Sequence, residues 1–297
     1  MFLFGAPAEL MALTPEVSPR RYFRANPEAG ATWLVVVSPT PAPHATTNFL
    51  RSLEIRSPKI GASMAGAYLV EDLGDVHLQH APTFENYQSI LQTWLQLASA
   101  ELPAGHPNLR FALNRELFEV ELGMFRDCYL RGYRALQLTA GAWQAIEQSL
   151  AELAVLACAG PQCLQHRDFH SRNILLPMQG GPAWIDHQDL RSGPLYYDLA
   201  SLYTDAYVEL PDDVFDLLRS QILPLGERCG LHPEDAMQQF LLTALQRVLK
   251  ALGTFGKVLG AGRSDFEAAE IQARCFALAL LDQLAIYPEL RKVLHTP

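Results

Sequence analysis

Residues Gln165–Asp189 read QHRDFHSRNILLPMQGGPAWIDHQD, and they predict a polar loop followed by a short β-hairpin. The two apolar triplets, Ile174–Leu176 and Ala183–Ile185, contain residues that favour strands. The segment Pro177–Pro182 between them contains two glycines, and such a segment is a turn signal. If the triplets pair, the residues that flank them meet at the open end of the hairpin.

The flanking residues are Asn173, before the first triplet, and Asp186, after the second. Their side chains offer the hard oxygen ligands that Mg²⁺ prefers when it bridges the phosphates of ATP. Asp168 precedes Asn173 on the adjacent loop, where a carboxylate can accept the proton of an attacking hydroxyl. His166, Asp168 and Asn173 fit H-x-D-x-x-x-x-N, the catalytic-loop pattern of kinases. The alternative is an exposed loop with solvated charges, which the hairpin and the carboxylate behind it disfavour.

Length and composition limit the possible classes of protein. A chain of 297 residues, 49% of them hydrophobic, predicts one large or two medium-sized domains with a substantial core. The formal charge of −9 and the lack of a long basic run argue against nucleic acid or an anionic membrane surface as partners. No apolar stretch is long enough to predict a membrane span. The first basic residue is Arg20, so the positively charged start of a secretory signal is missing and no such signal is expected. Five cysteines without zinc-site spacing favour free, buried thiols in a reducing cytosol, and hence a cytoplasmic location.

The periodicity of apolar residues changes near residue 75. Before this point, Arg21–Arg24, Trp33–Val37 and Ala67–Val70 predict strands, and Thr46–Ile55 predicts a short helix. After it, helical patterns predominate, in residues 83–95, 117–128, 143–154, 211–229, 233–258 and 264–288. We therefore expect an α+β protein with a small β-rich lobe, a large helical lobe and a ligand site in the cleft between them.

Several further blocks resemble the aminoglycoside-phosphotransferase-like branch of the protein-kinase-like fold. Within that branch they are most similar to the family of anomeric N-acetylmuramate/N-acetylglucosamine kinases. The blocks are RRYFR (Arg20–Arg24), LVEDLGD (Leu69–Asp75), HRDFHSRN (His166–Asn173), IDHQD (Ile185–Asp189), Gly193–Pro194, Tyr197–Leu199, Asp205–Tyr207 and LQRVLKALG (Leu245–Gly253). The last block is typical of the sugar kinases and lies outside the general kinase machinery. His187 stands where this family is expected to have phenylalanine.

The resemblance implies a bilobal protein-kinase-like fold, with residues 1–74 as the nucleotide-binding lobe and 75–297 as the catalytic and substrate-binding lobe. It implies ATP-dependent phosphorylation of the anomeric hydroxyl of N-acetylmuramate or N-acetylglucosamine, as in cell-wall recycling. Asp168 would be the base, and Asn173 and Asp186 would hold Mg²⁺. A hinge would bind adenine, mainly through backbone groups, and it consists of Val70, Glu71, Asp72 and Leu73.

Two features depart from the kinase pattern. No glycine-rich loop precedes the first strands, where Ser18-Pro19-Arg20-Arg21 stands instead. The strand Trp33–Val37 contains no lysine, and Lys59, the only lysine of this region, follows a proline in an expected loop. Because a cation should still offset the phosphates, we expect one of Arg20, Arg21 and Arg24 to do so, with Arg21 as the first choice. The alternative is a solvated strand face.

Other polar residues are candidates for substrate binding or for support of the loop: His170, Ser171, Arg172, Asp189, Asp205 and Lys250. For His170 and Ser171, support of the loop is favoured over chemistry. The alternatives are a surface ion pair for Arg172, a turn cap for Asp189 and a solvated helix face for Asp205 and Lys250. Asp198 is expected to anchor the catalytic loop, and His166 and His187 are expected to pack.

Two rival functions remain open. A kinase of another small alcohol, such as an aminoglycoside or choline, is favoured by the acidic charge and opposed by the Leu245–Gly253 block. A catalytically impaired nucleotide-binding protein is favoured by the missing lysine and opposed by the intact Asp168, Asn173 and Asp186. The sequence makes no prediction of the oligomeric state.

Overall fold

A five-stranded antiparallel sheet forms the N-terminal part of the protein. The computed structural model describes residues 9–13, 20–26 and 32–296, and the strand order is β1-β2-β3-β5-β4. The elements are β1 (Glu9–Ala12), β2 (Arg21–Asn26), β3 (Trp33–Val37), α1 (His44–Ser52), β4 (Ile60–Met64) and β5 (Ala67–Glu71). The three predicted strands and the short helix are confirmed, whereas β1 and β4 were not predicted. Ser18 and Pro19 lie outside the described residues.

The two faces of the sheet have different neighbours. Successive side chains of a strand point to opposite faces. On one face, Ala25, Val35 and Leu69 form a small buried cluster. The other face, which includes Leu34 and Val36 of β3, borders a cavity above the helical part.

The remainder of the chain is mainly helical, as predicted. The helices are α2 (Phe84–Ala98), α3 (Arg115–Met124), α4 (Ala140–Ala157), α5 (Tyr197–Tyr203), α6 (Asp212–Ser220), α7 (Ile222–Arg228), α8 (Pro233–Gly260), α9 (Glu267–Leu284) and α10 (Pro288–His295). A π-helical segment, Phe125–Tyr133, continues α3. Two short antiparallel pairs complete the structure: β6 (Gln162–Gln165) with β9 (Arg191–Pro194), and β7 (Ile174–Leu175) with β8 (Ala183–Trp184).

Two predicted helix boundaries were wrong. The single helix expected over 211–229 is divided at Gln221, because Pro224 lacks the N–H that would bond one turn back. The pattern over 264–288 predicts a longer helix than α9, which ends at Leu284. The next residue, Ala285, adopts a left-handed backbone conformation that ends the helix. The division into two lobes at residues 74 and 75 stays a prediction.

Helix α8 lies at the centre of the helical part and packs closely on the π-helical segment. Two of its glycines make this possible, since a Cβ at Gly253 would lie 2.7 Å from the Phe125 backbone nitrogen. A Cβ at Gly256 would lie 2.5 Å from the Tyr129 Cα. The same helix carries Arg247 and Lys250 to the catalytic loop.

Two observations bear on location. Within the described ranges, no helix combines the length and the apolar character that crossing a membrane requires. The cysteines are free, but Cys229 and Cys275 are exposed and the other three are only partly buried, so the expectation of buried thiols was wrong.

Candidate active site

The predicted hairpin forms. Ile174 pairs with Trp184, and Leu175 pairs with Ala183. The Ile185 backbone N–H donates to the Asn173 carbonyl oxygen at 3.0 Å, so Asn173 and Asp186 flank the open end. Asp186 itself has a left-handed backbone conformation, with φ 57° and ψ 34°. Non-glycine residues seldom adopt this region, although Asp tolerates it better than most.

The larger cavity, of about 400 Å³, lies between the sheet and the hairpin. Its wall is largely aliphatic, with Leu34 and Val36 from β3 and Leu175 from β7, and Asn173 and Asp186 form its polar end. The remaining lining residues are Leu13, Arg20, Tyr22, Pro43, Thr47, Pro58, Ile60, Tyr68, Val70, Glu71, Leu73, Gly74, Asp75, His77, Ile185, His187 and Gln188. The volume and the combination of apolar walls with a few polar groups are typical of a small-molecule site.

Three of the four hinge residues border this cavity: Val70, Glu71 and Leu73. The fourth, Asp72, does not, because it pairs with Arg24, whose Nε donates to Asp72 Oδ2 at 2.6 Å. Arg24 also pairs with Asp75 at 2.6 Å. The double ion pair ties β2 to the hinge, so neither Arg24 nor Asp72 is placed to contact a ligand in this cavity.

The cation beside the polar end is Arg20 rather than Arg21. Arg20 Nη1 lies 2.9 Å from Asp186 Oδ1, and its side chain is only 13% exposed. Arg21 is exposed and does not line the cavity, because the next residue of a strand points to the opposite face. Lys59 is also exposed and outside the lining. The expectation that Arg21 faces the phosphates therefore finds no support.

The polar end offers oxygen atoms that suit a magnesium ion. Asn173 Nδ2 donates to the Asp168 carbonyl oxygen at 2.8 Å, and Asn173 Oδ1 has no partner among the described residues. Asp186 Oδ1 accepts from Arg20 and, at 2.8 Å, from Gln188. No group of three or more His, Cys, Asp and Glu residues with metal-binding geometry occurs in residues 9–13, 20–26 and 32–296. Mg²⁺ does not require such a group, since it commonly takes one or two protein oxygens together with phosphates and water.

Asp168 faces a second, smaller cavity of about 130 Å³. This cavity is lined by the catalytic loop, α5, the segment that follows it, and α8: Asp168, His170, Ser201, Thr204, Asp205, Ala206, Tyr207, Arg247, Val248, Lys250, Ala251, Thr254 and Phe255. Lys250 Nζ donates to Asp168 Oδ1 at 2.6 Å. The Asp168 side chain remains 28% exposed, which makes it accessible from the cavity.

The charges around Asp168 keep it ionised. Burial raises the pKa of this carboxyl, but Lys250, Arg247 and Arg167 outweigh burial and hold the pKa well below its usual range. Burial and the neighbouring Arg247 lower the pKa of Lys250, and Asp168 opposes them. A carboxylate held in this way is a weak base, which can orient a hydroxyl and can accept its proton only late in a reaction.

Buried carboxylates anchor the backbone of the catalytic loop. Asp198 accepts from the backbone N–H of His166 at 2.5 Å and of Arg167 at 3.0 Å, which confirms its predicted role. Burial raises the pKa of Asp198 to about 7. Asp205 accepts from the Ser171 N–H at 2.6 Å and the Tyr207 N–H at 2.9 Å. Thus Asp205 and Ser171 support the loop, and Asp205 also borders the smaller cavity.

The histidines near the loop are packed and neutral. Burial lowers the pKa of His166, and its Nε2 bonds to the Ile185 carbonyl at 3.0 Å. Burial lowers the pKa of His170 and of His187 to about 3. His187 Nε2 lies 2.8 Å from Thr47 Oγ1 and so connects α1 to the residue next to Asp186. His166 and His187 therefore pack as predicted.

Arg172 and Asp189 are engaged in internal contacts. The Arg172 guanidinium lies 4.0 Å from the centre of the Tyr207 ring, and its Nε donates to Gln79 at 3.0 Å. Asp189 pairs with Arg167 at 3.1 Å and with Arg191 at 2.9 Å. Both residues therefore brace the loop, and neither lines a cavity described here.

Sequence reasoning undervalued Arg20 and missed Thr47. The alternation of β2 is the signal that separates Arg20 from Arg21, but it does not say which face meets the cavity. No sequence motif around Thr47 indicates its contact with His187, because the two residues are 140 positions apart.

Comparisons with known proteins agree with this geometry. A family model described as "APH: Phosphotransferase enzyme family" matches residues 9–223. The N-acetylmuramate/N-acetylglucosamine kinase of Pseudomonas aeruginosa is 27% identical over 272 residues, which cover 85% of this chain and 77% of the relative. The protein of the same name from Neisseria meningitidis serogroup B is 27% identical over 254 residues, covering 80% of this chain and 75% of the relative.

Solved structures share the fold at low sequence identity. Aminoglycoside phosphotransferase APH(4)-Ia, as a thermostable mutant in complex with ADP and hygromycin B, has a TM-score of 0.55 and 17% identity, with 92% of this chain and 95% of the other covered. Ethanolamine kinase of Plasmodium vivax has a TM-score of 0.61 and 13% identity, with 96% and 84% covered. Because the family model spans well over half of the sequence, the chain belongs to the phosphotransferase enzyme family and is an ATP-dependent kinase of a small-molecule alcohol.

Proposed function

We propose that this kinase phosphorylates the anomeric hydroxyl of N-acetylmuramate or N-acetylglucosamine, with Mg·ATP as the donor. One observation carries the proposal. The block Leu245–Gly253, which resembles the sugar kinases and lies outside the shared kinase machinery, supplies Arg247, Lys250 and Ala251 to the wall of the smaller cavity. The relatives that carry this activity in their names are similar over about three quarters of their length.

ATP occupies the larger cavity in this proposal. Its adenine lies at the hinge, where the Leu73 N–H has no partner among the described residues. Its phosphates point to Arg20, Asn173 and Asp186. The last two residues would hold Mg²⁺, which would neutralise charge on the phosphates. Use of ATP fits an enzyme of the cytoplasm.

The acceptor occupies the smaller cavity, with its hydroxyl against Asp168. The hydroxyl oxygen forms a bond to the γ-phosphorus while the bond from this phosphorus to the β,γ-bridging oxygen breaks and ADP leaves. The hydroxyl proton passes to the Asp168 carboxylate and then to solvent. Such a reaction depends mainly on positioning and on neutralisation of charge, so a weakly basic Asp168 is sufficient.

The charge balance of the smaller cavity opposes a cationic acceptor. Asp168 and Asp205 are matched by Lys250 and Arg247, and His170 is neutral. Both oxygens of Asp205 already accept backbone N–H groups. A positively charged aminoglycoside or choline would therefore find no unmatched carboxylate, whereas a neutral or acidic sugar does not need one.

The test is turnover with a panel of acceptors: N-acetylmuramate, N-acetylglucosamine, hygromycin B, choline and ethanolamine. We expect ADP release with the two sugars, and phosphorus NMR should show a sugar 1-phosphate. Turnover of the amines without turnover of the sugars would overturn the assignment.

The role of Asp168 is tested by Asp168→Asn. General base catalysis typically contributes about 10²–10⁴-fold, so kcat should fall by about that factor. ATP affinity should be retained, since Asp168 does not line the larger cavity. Asp216→Asn, the same substitution at an exposed site on α6, is the control. Undiminished turnover by Asp168→Asn would show that another group accepts the proton.

A further inference from the structure

Lys250 is the one lysine of this chain that borders either cavity described above. The sequence contains four lysines, at positions 59, 250, 257 and 292. Lys59 and Lys257 are exposed, and the Lys292 side chain is 76% exposed. The Lys250 side chain is 17% exposed and reaches from α8 to the catalytic loop.

The contact of Lys250 selects one oxygen of Asp168. Its ammonium donates to Oδ1 at 2.6 Å, whereas Oδ2 has no hydrogen-bond partner among the described residues. An ammonium has three N–H donors, and the bond to Asp168 is the one hydrogen bond that the Lys250 ammonium makes within the described ranges. Oδ2 and the remaining donors are therefore available to a molecule in the smaller cavity.

This ion pair is not needed to hold the loop. Asp198 and Asp205 already anchor the loop backbone on either side of Asp168. The Lys250 ammonium bonds to the carboxylate and to no backbone group of the loop within the described residues, so it acts on the orientation of the Asp168 side chain rather than on the path of the chain. Removal of Lys250 alone would leave the Asp168 charge unpaired, which destabilises a fully buried carboxylate strongly and a carboxylate that is 28% exposed less.

The neighbouring cations cannot replace Lys250 without losing their own contacts. Arg247 donates from Nε to Ser201 at 2.6 Å and from Nη1 to Tyr197 at 3.1 Å. Arg167 is directed to Asp189, at 3.1 Å. Both act on Asp168 through their charge, and neither forms a hydrogen bond to its carboxylate.

We propose that Lys250 is a positioning residue of the phosphotransfer reaction, which holds Asp168 Oδ1 so that Oδ2 faces the acceptor hydroxyl and receives its proton. Lys250 remains protonated throughout, and the proton balance of the reaction is unchanged. This inference rests on the proposed role of Asp168 as the base. It assigns to α8 a part of the catalytic geometry that the catalytic loop does not supply by itself.

The experiment is a double-mutant cycle on kcat. Lys250→Met should lower kcat about 10- to 100-fold while the KM for ATP stays close to that of the parent, and Lys250→Arg should recover part of the loss. The Tm of Lys250→Met should fall, because the Asp168 charge loses its partner. In the Asp168→Asn background, Lys250→Met should have no further effect, because the carboxylate that it orients is gone. Lys257→Met, at an exposed position of the same helix, should behave as the parent.

Two results would overturn the proposal. One is parental kcat in Lys250→Met. The other is an equal loss from Lys250→Met with and without Asp168, which would mean that Lys250 acts independently. If Lys250→Met does not fold, the same cycle is measured with Lys250→Gln. The cycle uses whichever acceptor of the panel is turned over, so failure of the sugar assignment leaves it measurable.

Discussion

Arg20 is a cation of the larger cavity, whose lining includes no lysine among the described residues. It reaches the polar end of the larger cavity from the residue before β2, while β3 presents Leu34 and Val36 there. Its guanidinium pairs with Asp186 at 2.9 Å. A phosphate that enters this region meets a cation that is already oriented.

Arg20→Met should therefore weaken ATP binding. A hydrogen bond to a charged group contributes about 1.5–3 kcal/mol, so the KM for ATP should rise about 10- to 100-fold. Arg21→Met, at the exposed neighbouring position, is the matched control and should leave the KM for ATP unchanged. Equal effects of the two substitutions would argue that general positive charge, and not the position of Arg20, is what matters.

Asp198 is a second single residue with a large effect, but it acts on the backbone of the catalytic loop. Each of its oxygens accepts a different N–H, from His166 and from Arg167. Arg167 has a φ of 84°, a strained value for a residue with a side chain, and the bond to Asp198 helps to hold it.

Asp198→Asn should loosen the catalytic loop. An amide offers one acceptor oxygen, so one N–H would face an NH₂ group instead. Loss of a buried hydrogen bond costs about 1–3 kcal/mol, so the free energy of unfolding should fall by that amount and kcat should fall with it. Denaturant titration and steady-state kinetics measure the two effects. Unchanged stability would mean that the loop has another anchor.

Among the elements, α8 connects packing to catalysis. Its approach to the π-helical segment leaves no space for a side chain at Gly253 or Gly256. The position of this helix in turn places Lys250 at Asp168. The close contact with the Phe125 backbone explains why the last residue of the Leu245–Gly253 block is a glycine.

Gly256→Ala should destabilise the protein. Its methyl group would lie 2.5 Å from Tyr129 Cα, and the backbone on both sides must move. Overpacking of this kind costs about 1–3 kcal/mol, so the Tm should fall. Gly260→Ala is the control, because a Cβ there meets nothing within 4 Å, and it should leave the Tm unchanged or raise it. A Tm for Gly256→Ala equal to that of the control would contradict the close packing.

At the scale of the whole molecule, the two cavities lie on either side of the catalytic loop and hairpin. The larger one takes its walls from both the sheet and the hairpin, so a nucleotide bound there contacts both parts of the protein. Binding should therefore stabilise the folded state as a whole.

We expect ATP with Mg²⁺ to raise the Tm more than ATP with EDTA. A ligand at about 100 times its Kd contributes about 2.7 kcal/mol to stability, which is measurable by thermal shift. Asp186→Asn should abolish most of the difference between the two conditions. Equal shifts with Mg²⁺ and with EDTA in the parent protein would argue against Asn173 and Asp186 as the magnesium ligands.

The sequence by itself determined the features that depend on neighbours in the chain. The hairpin, and with it the adjacency of Asn173 and Asp186, follows from two β-prone triplets and the turn between them. The change of periodicity near residue 75 distinguishes the β-rich from the helical part, since the period of a strand differs from that of a helix. The motif blocks identified the family of the protein.

Only the tertiary structure decided which distant residues meet. Lys250 and Asp168 are 82 positions apart, and their contact depends on how closely α8 packs against the rest of the helical part. The choice of Arg20 over Arg21 required the orientation of the sheet above the hairpin, because alternation defines two faces without saying which one is covered. The pairing of Asp72 with Arg24 likewise joins separate strands. Local patterns set the backbone conformation, whereas the charges in an active site are arranged by packing over long sequence distances.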